Sequence, residues 1–484
     1  MNDASAAHLD AGRGEGVREL AMRADAAPAD GWTPAALTAA AAVALGQALV
    51  INNGGYDPVA IAGLALSFVL LACALGGRAL PALERGGAGL VVAIMGVGAL
   101  AQFAEHAALR PAAYLAFEHP RSAPFLVGVA LAAVLTGSAL SPRSWLGRAH
   151  LPVLLAIYFA LGVWIIHASP RPHIDVHTFH LEAIDALLSG KNPYAITMRY
   201  IYDGGGPYRP DLVANGRVLH GYPYPPLLLL LALPGHVLGG DHRYGELVAM
   251  TLSAALMAYA RPGRLATLAA TLFLFMPRTF HLLENAWTEP YVILLLSAVL
   301  WCAMRGSRLL VVALGLFLAV KQYGVFLLPP LGLLLPRAWP ARRLARLLAG
   351  AVAVAAAVTL PLVLWDLRAC LHSLLAPGAG GVRLDALSFV AWFARVTGRV
   401  LPRWLGFAAL VPAWIYALAR RRRTPAAAAA GVALTALAFF SFGMQAFLNH
   451  YALALAGMWW AVAVAASPVP VTPPQARAQL APSP

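Results

Sequence analysis

Between His173 and Tyr194 the chain runs His-Ile-Asp-Val-His-Thr-Phe-His and then Leu-Glu-Ala-Ile-Asp-Ala-Leu-Leu-Ser-Gly-Lys-Asn-Pro-Tyr, setting acids and histidines just beyond a long apolar run. Asp175 stands immediately past that run. At such a boundary the bilayer lowers the local dielectric and can fit a carboxylate to act as a general base; an ordinary interfacial acid solvated by headgroup water occupies the same kind of position. His173, Asp175, His177 and His180 also form a candidate divalent-metal set, because His177 and His180 are three apart on one helical face. No established zinc spacing accompanies them, and the alternative is that the histidines hydrogen-bond a polar headgroup or phosphate.

A second group of candidates lies further along. Two of the 35 basic residues are lysines, Lys191 and Lys321, and a compact ammonium meets a phosphate as a point charge where a planar guanidinium does not fit. Val320-Lys-Gln-Tyr323 interrupts a long apolar stretch, and a charge at such depth normally has a purpose. Lys321, with Gln322 and Tyr323, is therefore a candidate phosphate-binding group, and Arg278 is another. His281-Leu-Leu-Glu-Asn-Ala-Trp-Thr-Glu-Pro290 adds Glu284, Asn285, Glu289 and Trp287, whose ring can stack on a sugar or anchor at the interface. Gln445-Ala-Phe-Leu-Asn-His-Tyr451 adds Asn449 and His450, which serve a site or pair helices. His177, Lys191, Asn192, Tyr194, Tyr222 and Tyr224 complete the candidate substrate contacts.

The elements that must position these groups are membrane helices. Of the 484 residues 60% are hydrophobic and 12% charged, and the mean hydropathy is +0.70, a composition foreign to soluble domains of this size. Spans need roughly 20 apolar residues, and about 14 such runs (12–14) extend from 33–52 to 447–466; the expected fold is an all-α polytopic bundle. Residues 1–32 carry both signs of charge without an apolar core, so no cleavable signal is expected and the first span should anchor the chain. The net charge of +14 sets orientation through arginine-rich short loops and does not indicate nucleic acid. Three cysteines make neither a disulfide framework nor a paired zinc motif.

With the amino terminus in the cytoplasm, the 169–222 loop faces outward. Residues 225–234 are short and proline-flanked and are expected to re-enter or lie on the surface without crossing. Arg261, Arg264, Arg305, Arg308, Arg337 and Arg420 to Arg423 then become cytoplasmic, as does the carboxyl terminus, while every acid from Glu105 to Asp385 faces outward. Residues 176–189 repeat apolar positions at Val176, Phe179, Ala183 and Leu187, an amphipathic surface helix stopped by Ser189-Gly190 and Asn192-Pro193. Asp203–Pro207 and Asn215-Gly216 read as a flexible loop, and Tyr222-Pro-Tyr-Pro-Pro226 as an aromatic return to the bilayer. The expected divisions are a cytoplasmic tail at 1–32, a transmembrane extension at 33–142, a module at 143–466 carrying the chemistry, and a disordered tail at 467–484.

Over residues 150–465 the sequence resembles the GT-C superfamily of membrane glycosyltransferases that use polyprenyl-phosphate sugars, most closely the bacterial family 87 mannosyltransferase branch. Asp175 opening the first large outer loop, the helix ending Leu-Leu-Ser-Gly-Lys-Asn-Pro-Tyr194, Tyr-Pro-Tyr-Pro-Pro226, Lys-Gln-Tyr323 before Leu-Leu-Pro-Pro330, and Gln-Ala-Phe-Leu-Asn-His-Tyr451 carry the resemblance in that order. It implies Asp175 as catalytic base, a polyprenyl-phosphate hexose donor, a glycan or glycolipid acceptor, contact with membrane lipids, and an active site on the outer face of the plasma membrane. His177 stands where an Asp-x-Asp pair would place its second acid, which leaves metal dependence open. The alternative is a transporter or flippase for a lipid-linked or polar solute, with Lys321 lining the path.

Overall fold

The computed structural model describes residues 31–115, 122–140, 149–202, 208–376, 381–419 and 423–465. The tails at 1–30 and 466–484, the 203–207 stretch and Arg420 to Arg422 lie outside the described residues. Five helices come first: α1 (Trp32–Ile51), α2 (Pro58–Gly76), α3 (Pro81–Ala108), α4 (Ala123–Leu140) and α5 (His150–Ala168). After α6 (Asp175–Leu188) and a small sheet come α7 (Pro226–Gly239), α8 (Arg243–Ala260), α9 (Arg264–Leu274), α10 (Thr279–Glu284), α11 (Glu289–Met304) and α12 (Leu310–Val320). Short 3-10 and α turns over Gln322–Leu334 lead to α13 (Ala341–Trp365), α14 (Leu367–Leu375), α15 (Phe389–Thr397), α16 (Leu405–Ala419), α17 (Pro425–Ser441) and α18 (Leu448–Ala465).

Among the described residues 7 helices, α1 to α5, α13 and α18, are long and apolar enough to cross a membrane, which corrects the expectation of about 14 spans. The other apolar runs fold into helices that are too short or, in α8, too polar. At a rise of about 1.5 Å per residue, an 11-residue helix such as α12 covers about 16 Å, roughly half of a hydrocarbon core. Local chemistry accounts for the breaks. Pro277 and left-handed Arg278 (φ 61°) follow α9, Pro329 and Pro330 fragment the turns after Lys321, and α8 carries Arg243 and Glu246 in its first turn. The protein is a multi-helix membrane-associated bundle. One apolar cluster runs through it from Trp32 to Val464.

The amphipathic helix forms where expected, as α6. Val176, Phe179 and Ala183 are buried and Asp185 is exposed; the inner face also takes in His177 and His180, which the apolar pattern does not count. The helix stops at Gly190 in the left-handed region (φ 72°), with the Lys191 amide donating to the Ala186 carbonyl at 2.8 Å, a Schellman-type end. Asn215-Gly216 makes a two-residue hairpin between β2 (Val213–Ala214) and β3 (Arg217–Val218), both residues at positive φ (51° and 70°), as a type I′ turn requires. β1 (Met198–Arg199) pairs with the other edge of β3. The loop there is thus ordered, not flexible. It closes a second, smaller core in which Phe179, Ile184, Tyr194, Met198 and Tyr222 meet Leu229 and Leu362 of the bundle.

Gly221 locks this cap down. Its amide donates to the Ser373 hydroxyl, which itself donates to the Tyr194 carbonyl, and a Cβ at this position would fall 2.4 Å from the Tyr194 oxygen and 2.7 Å from that of Pro193. Backbone cannot yield as a side chain can. Gly221→Ala is expected to destabilise the protein by about 1–3 kcal/mol, read as a lowered melting temperature in detergent; an unchanged melt would show the cap to be loosely seated.

Candidate functional site

Asp175 is the first residue of α6 and is half-buried. One carboxylate oxygen accepts from the amide of Val176 at 2.8 Å and the other from the hydroxyl of Tyr208 at 2.5 Å. Tyr202 lies close enough to Asp175 to feel its charge. Burial first, and the negative charge of Asp175 second, push both phenols above their usual range, so they act as neutral donors. Tyr200, Tyr202 and Tyr208 contact one another edge to face, with centroids 5.9 and 6.2 Å apart. The field of Asp175 also reaches Tyr114, Tyr224 and Arg383, and Arg383 is itself gripped by Asp385 through two hydrogen bonds of 2.8 and 2.6 Å.

Tyr224 links the carboxylate to a buried ion pair. The ammonium of Lys321 lies 4.8 Å from the Tyr224 ring centroid and 3.3 Å from Glu289 Oε1. Asn449 donates to the second Glu289 oxygen at 2.9 Å, and the Tyr323 hydroxyl to the first at 3.3 Å. Lys321 is 8% exposed and Glu289 0%. The ends of α11, α12 and α18 therefore converge here, with His450 close enough for its charge to be felt by Glu289 and its ring 4.6 Å from Phe440. Removing one partner of such a pair typically costs about 3–5 kcal/mol, because the other charge is stranded.

A row of imidazoles completes the region. His180 stacks on Tyr224 at 5.6 Å and on His242 at 4.9 Å, and His177 packs against His242 at 5.0 Å. His180 Nδ1 lies 2.8 Å from the Val176 carbonyl and Nε2 2.9 Å from the Tyr222 hydroxyl, which fits a neutral ring with its proton on Nδ1. Burial pushes His177 and His180 down to about 4. One potential ligand atom from each of His177, Asp241 and His242 lies within 4.8 Å of the others, a cluster able to coordinate a metal ion. The sequence-derived set does not assemble. His173 is exposed beside Tyr202, both His180 nitrogens are engaged, and Asp175 and His177, two apart on a helix, diverge by about 200°. Only His177 of that set joins the cluster.

The remaining candidates serve mainly as scaffold. Glu284 accepts from the amides of Ala113 and Tyr114 at 2.5 and 2.7 Å. Asn285 donates to the His281 carbonyl at 2.7 Å and Trp287 meets the His281 ring edge-on. Arg278 donates to the Arg110 carbonyl at 2.8 Å. This group pins the 110–115 segment and touches the Asp175 region through Tyr114. Asn192 accepts from the Tyr194 amide, and the Tyr194 hydroxyl donates to the Tyr224 carbonyl at 2.7 Å, so both shape the loop. Lys191 and Gln322 are exposed.

The sequence reading passed over Tyr202, Tyr208, Arg383, Asp241, His242 and Glu246. The crowding of Tyr200, Tyr202 and Tyr208, and the Asp-His-Arg triplet directly after an apolar helix, were the available signals. A cavity of about 800 Å³ lined by Leu314, Leu331, Leu344, Leu348, Arg337 and Arg423 lies toward the other end of α12, away from these groups. No family model, curated protein or solved structure matches the chain.

Burial alone would raise Glu284, but His281, Ser169 and the two backbone amides outweigh it and hold the group below the usual carboxylate value of 4.5. A depressed carboxylate contributes stability that is fully present above its unfolded value and is lost as pH falls through its folded one. Glu284→Gln should therefore melt lower than the native protein at pH 7, and the difference should shrink as pH drops below about 4.5. A gap that stays constant with pH would show that charge is not what Glu284 supplies.

Proposed function

We propose that the protein is a GT-C-type membrane glycosyltransferase that moves a hexose from a polyprenyl-phosphate donor to a hydroxyl of a glycan or glycolipid, on the outer face of the plasma membrane. The observation that carries this reading is the convergence of Asp175, Tyr224, Lys321 and Glu289 at one end of the bundle. A proton acceptor and a fixed cation both lie within electrostatic reach of one ring, that of Tyr224. Sugar transfer from a lipid phosphate asks for both.

In the proposed reaction the acceptor hydroxyl gives its proton to the Asp175 carboxylate as its oxygen attacks the anomeric carbon. Tyr208 occupies one lone-pair direction of that carboxylate, and others remain for the acceptor. The bond from the anomeric carbon to the phosphate oxygen breaks, and the polyprenyl phosphate leaves with the electron pair. Lys321 supplies positive charge where this negative charge develops, in a site held apart from bulk water. Tyr200, Tyr202 and Tyr208 offer ring faces and edges for a hexose. The cluster of His177, Asp241 and His242 draws its first member from the same helix as Asp175, and we take it to hold a divalent ion when the enzyme is loaded.

Asp175→Asn is expected to lower transfer by on the order of 10²–10⁴-fold with the melting temperature retained, assayed with a radiolabelled polyprenyl-phosphate sugar and membrane-derived acceptor. Full activity in that variant would remove the assignment. Lys321→Met should reduce both activity and stability, by about 3–5 kcal/mol for the latter. Lys321→Met with Glu289→Gln should recover much of the stability without recovering transfer, separating the two roles of the lysine.

A further inference from the structure

The first turn of α8 and the chain just before it contain an unusual set of buried groups. Both ring nitrogens of His242 and both carboxylate oxygens of Glu246 lack hydrogen-bond partners, as does the hydroxyl of Tyr291. His242 and Glu246 are each 0% exposed, and His242 Nδ1 lies 3.9 Å from Glu246 Oε1. An unpaired polar group away from water is destabilising, and here several share one small volume. They adjoin the point where His177 and Asp241 present ligand atoms within 4.8 Å of one another and of His242. Orphaned nitrogens and oxygens facing a ready set of donors are what a bound cation would satisfy.

We infer that His177, Asp241, His242 and Glu246 bind one divalent transition-metal ion of the zinc class, and that this ion fastens the outer-loop helix α6 to the turn between α7 and α8. The donor set decides the class. Two imidazoles and two carboxylates suit zinc and its neighbours, whereas magnesium and calcium take oxygen ligands. Donors bonded to one tetrahedral zinc at about 2.0–2.1 Å stand roughly 3.4 Å apart, so the His177, Asp241 and His242 atoms, within 4.8 Å of one another, close by about 1.4 Å at most, and Glu246, 3.9 Å from His242, swings in beside them as the fourth ligand. Two neutral imidazoles and two carboxylates carry a summed charge that offsets the ion. The charged neighbours are Arg243, Lys321 and Glu289, with His180 and His236 facing His242 as well. Arg243 is fully occupied. Its guanidinium holds Asp241 by bonds of 2.6 and 3.0 Å and reaches the carbonyls of Ile166 and Glu284, so it orients the ligand carboxylate from behind, as an outer-shell partner does.

The ion's task follows from the helix. His177 and Asp175 point to different sides of the same turn, so the ion acts on Asp175 through the position of α6. The clasp bridges the capping loop and the bundle where the other ties are Gly221, Ser373 and the small apolar core. This positional role rests on the function proposed above; the metal site itself does not.

The test is metal analysis of the full-length protein, purified in detergent without a histidine tag and dialysed against micromolar zinc. One zinc per chain is expected, retained against washing, with removal by a strong chelator lowering the melting temperature and re-added zinc restoring it. His177→Gln and Glu246→Gln should each lower zinc occupancy at least tenfold, and cobalt-loaded native protein should give the visible spectrum of a tetrahedral nitrogen–oxygen site. Asp175→Asn should hold zinc as the native chain does. Absence of stoichiometric metal in the native protein, equal occupancy in His177→Gln, or loss of zinc in Asp175→Asn would each overturn the assignment. A protein that binds zinc as stated but transfers no sugar would leave the site standing and remove the proposed function instead.

Discussion

A charge placed among apolar helices must find a partner or the helices cannot pack, and the Lys321–Glu289 pair is where this chain meets that constraint. Lysine closes α12, glutamate opens α11, and Asn449 in the first turn of α18 takes the second glutamate oxygen. Three apolar helices are thereby held in register at one end by groups that have no other means of satisfaction. The arrangement leaves the ammonium facing Tyr224, and through Tyr224 the polar region continues to His180, His242 and Asp175. A stability device of this kind also fixes a cation where a phosphate would need one.

The two ends of the bundle differ in chemistry. Around Asp175 three of the acidic groups are surrounded by donors: phenols for Asp175, lysine and asparagine for Glu289, backbone amides for Glu284. At the other end arginines cap helices by stacking and backbone contacts, Arg305 over Trp301, Arg343 over Trp339, and Arg423 donating to the Leu335 carbonyl. α11 begins at Glu289 and runs toward Arg305, and α12 returns from Arg308 to Lys321, so the polarity is built into consecutive helices.

Much of this was legible in residue types. The rarity of lysine singled out Lys321, and the amphipathic spacing and the Ser-Gly stop gave α6 nearly to the residue; α7, by contrast, runs through Pro234 to Gly239, past the end its prolines suggested. The count of spans was not. Hydropathy reports how apolar a run is, whereas length depends on where Pro277, Pro329 and Pro330 interrupt it and on how much neighbouring helices bury. The ordered hairpin was present as Asn215-Gly216, but its strands are two residues long and carry no alternation to read. His242 and Glu246 stayed hidden because they are ordinary residues in local sequence; their meaning comes from His242 lying next to His177, more than sixty positions earlier in the chain, with Glu246 beside His242. Likewise Glu284 looked like a ligand-binding acid and proves to be saturated by Ala113 and Tyr114.

The central claim is that a lipid phosphate docks at the Lys321 end of the bundle, in reach of Asp175. The most direct measurement is photo-crosslinking of the protein in nanodiscs with a polyprenyl phosphate carrying a photoreactive group next to its phosphate, followed by peptide mapping. The account predicts labelling within 222–230, 289–293 and 321–327, competed by unlabelled polyprenyl phosphate. Labelling confined to the arginine-lined cavity around 331–348 would contradict it.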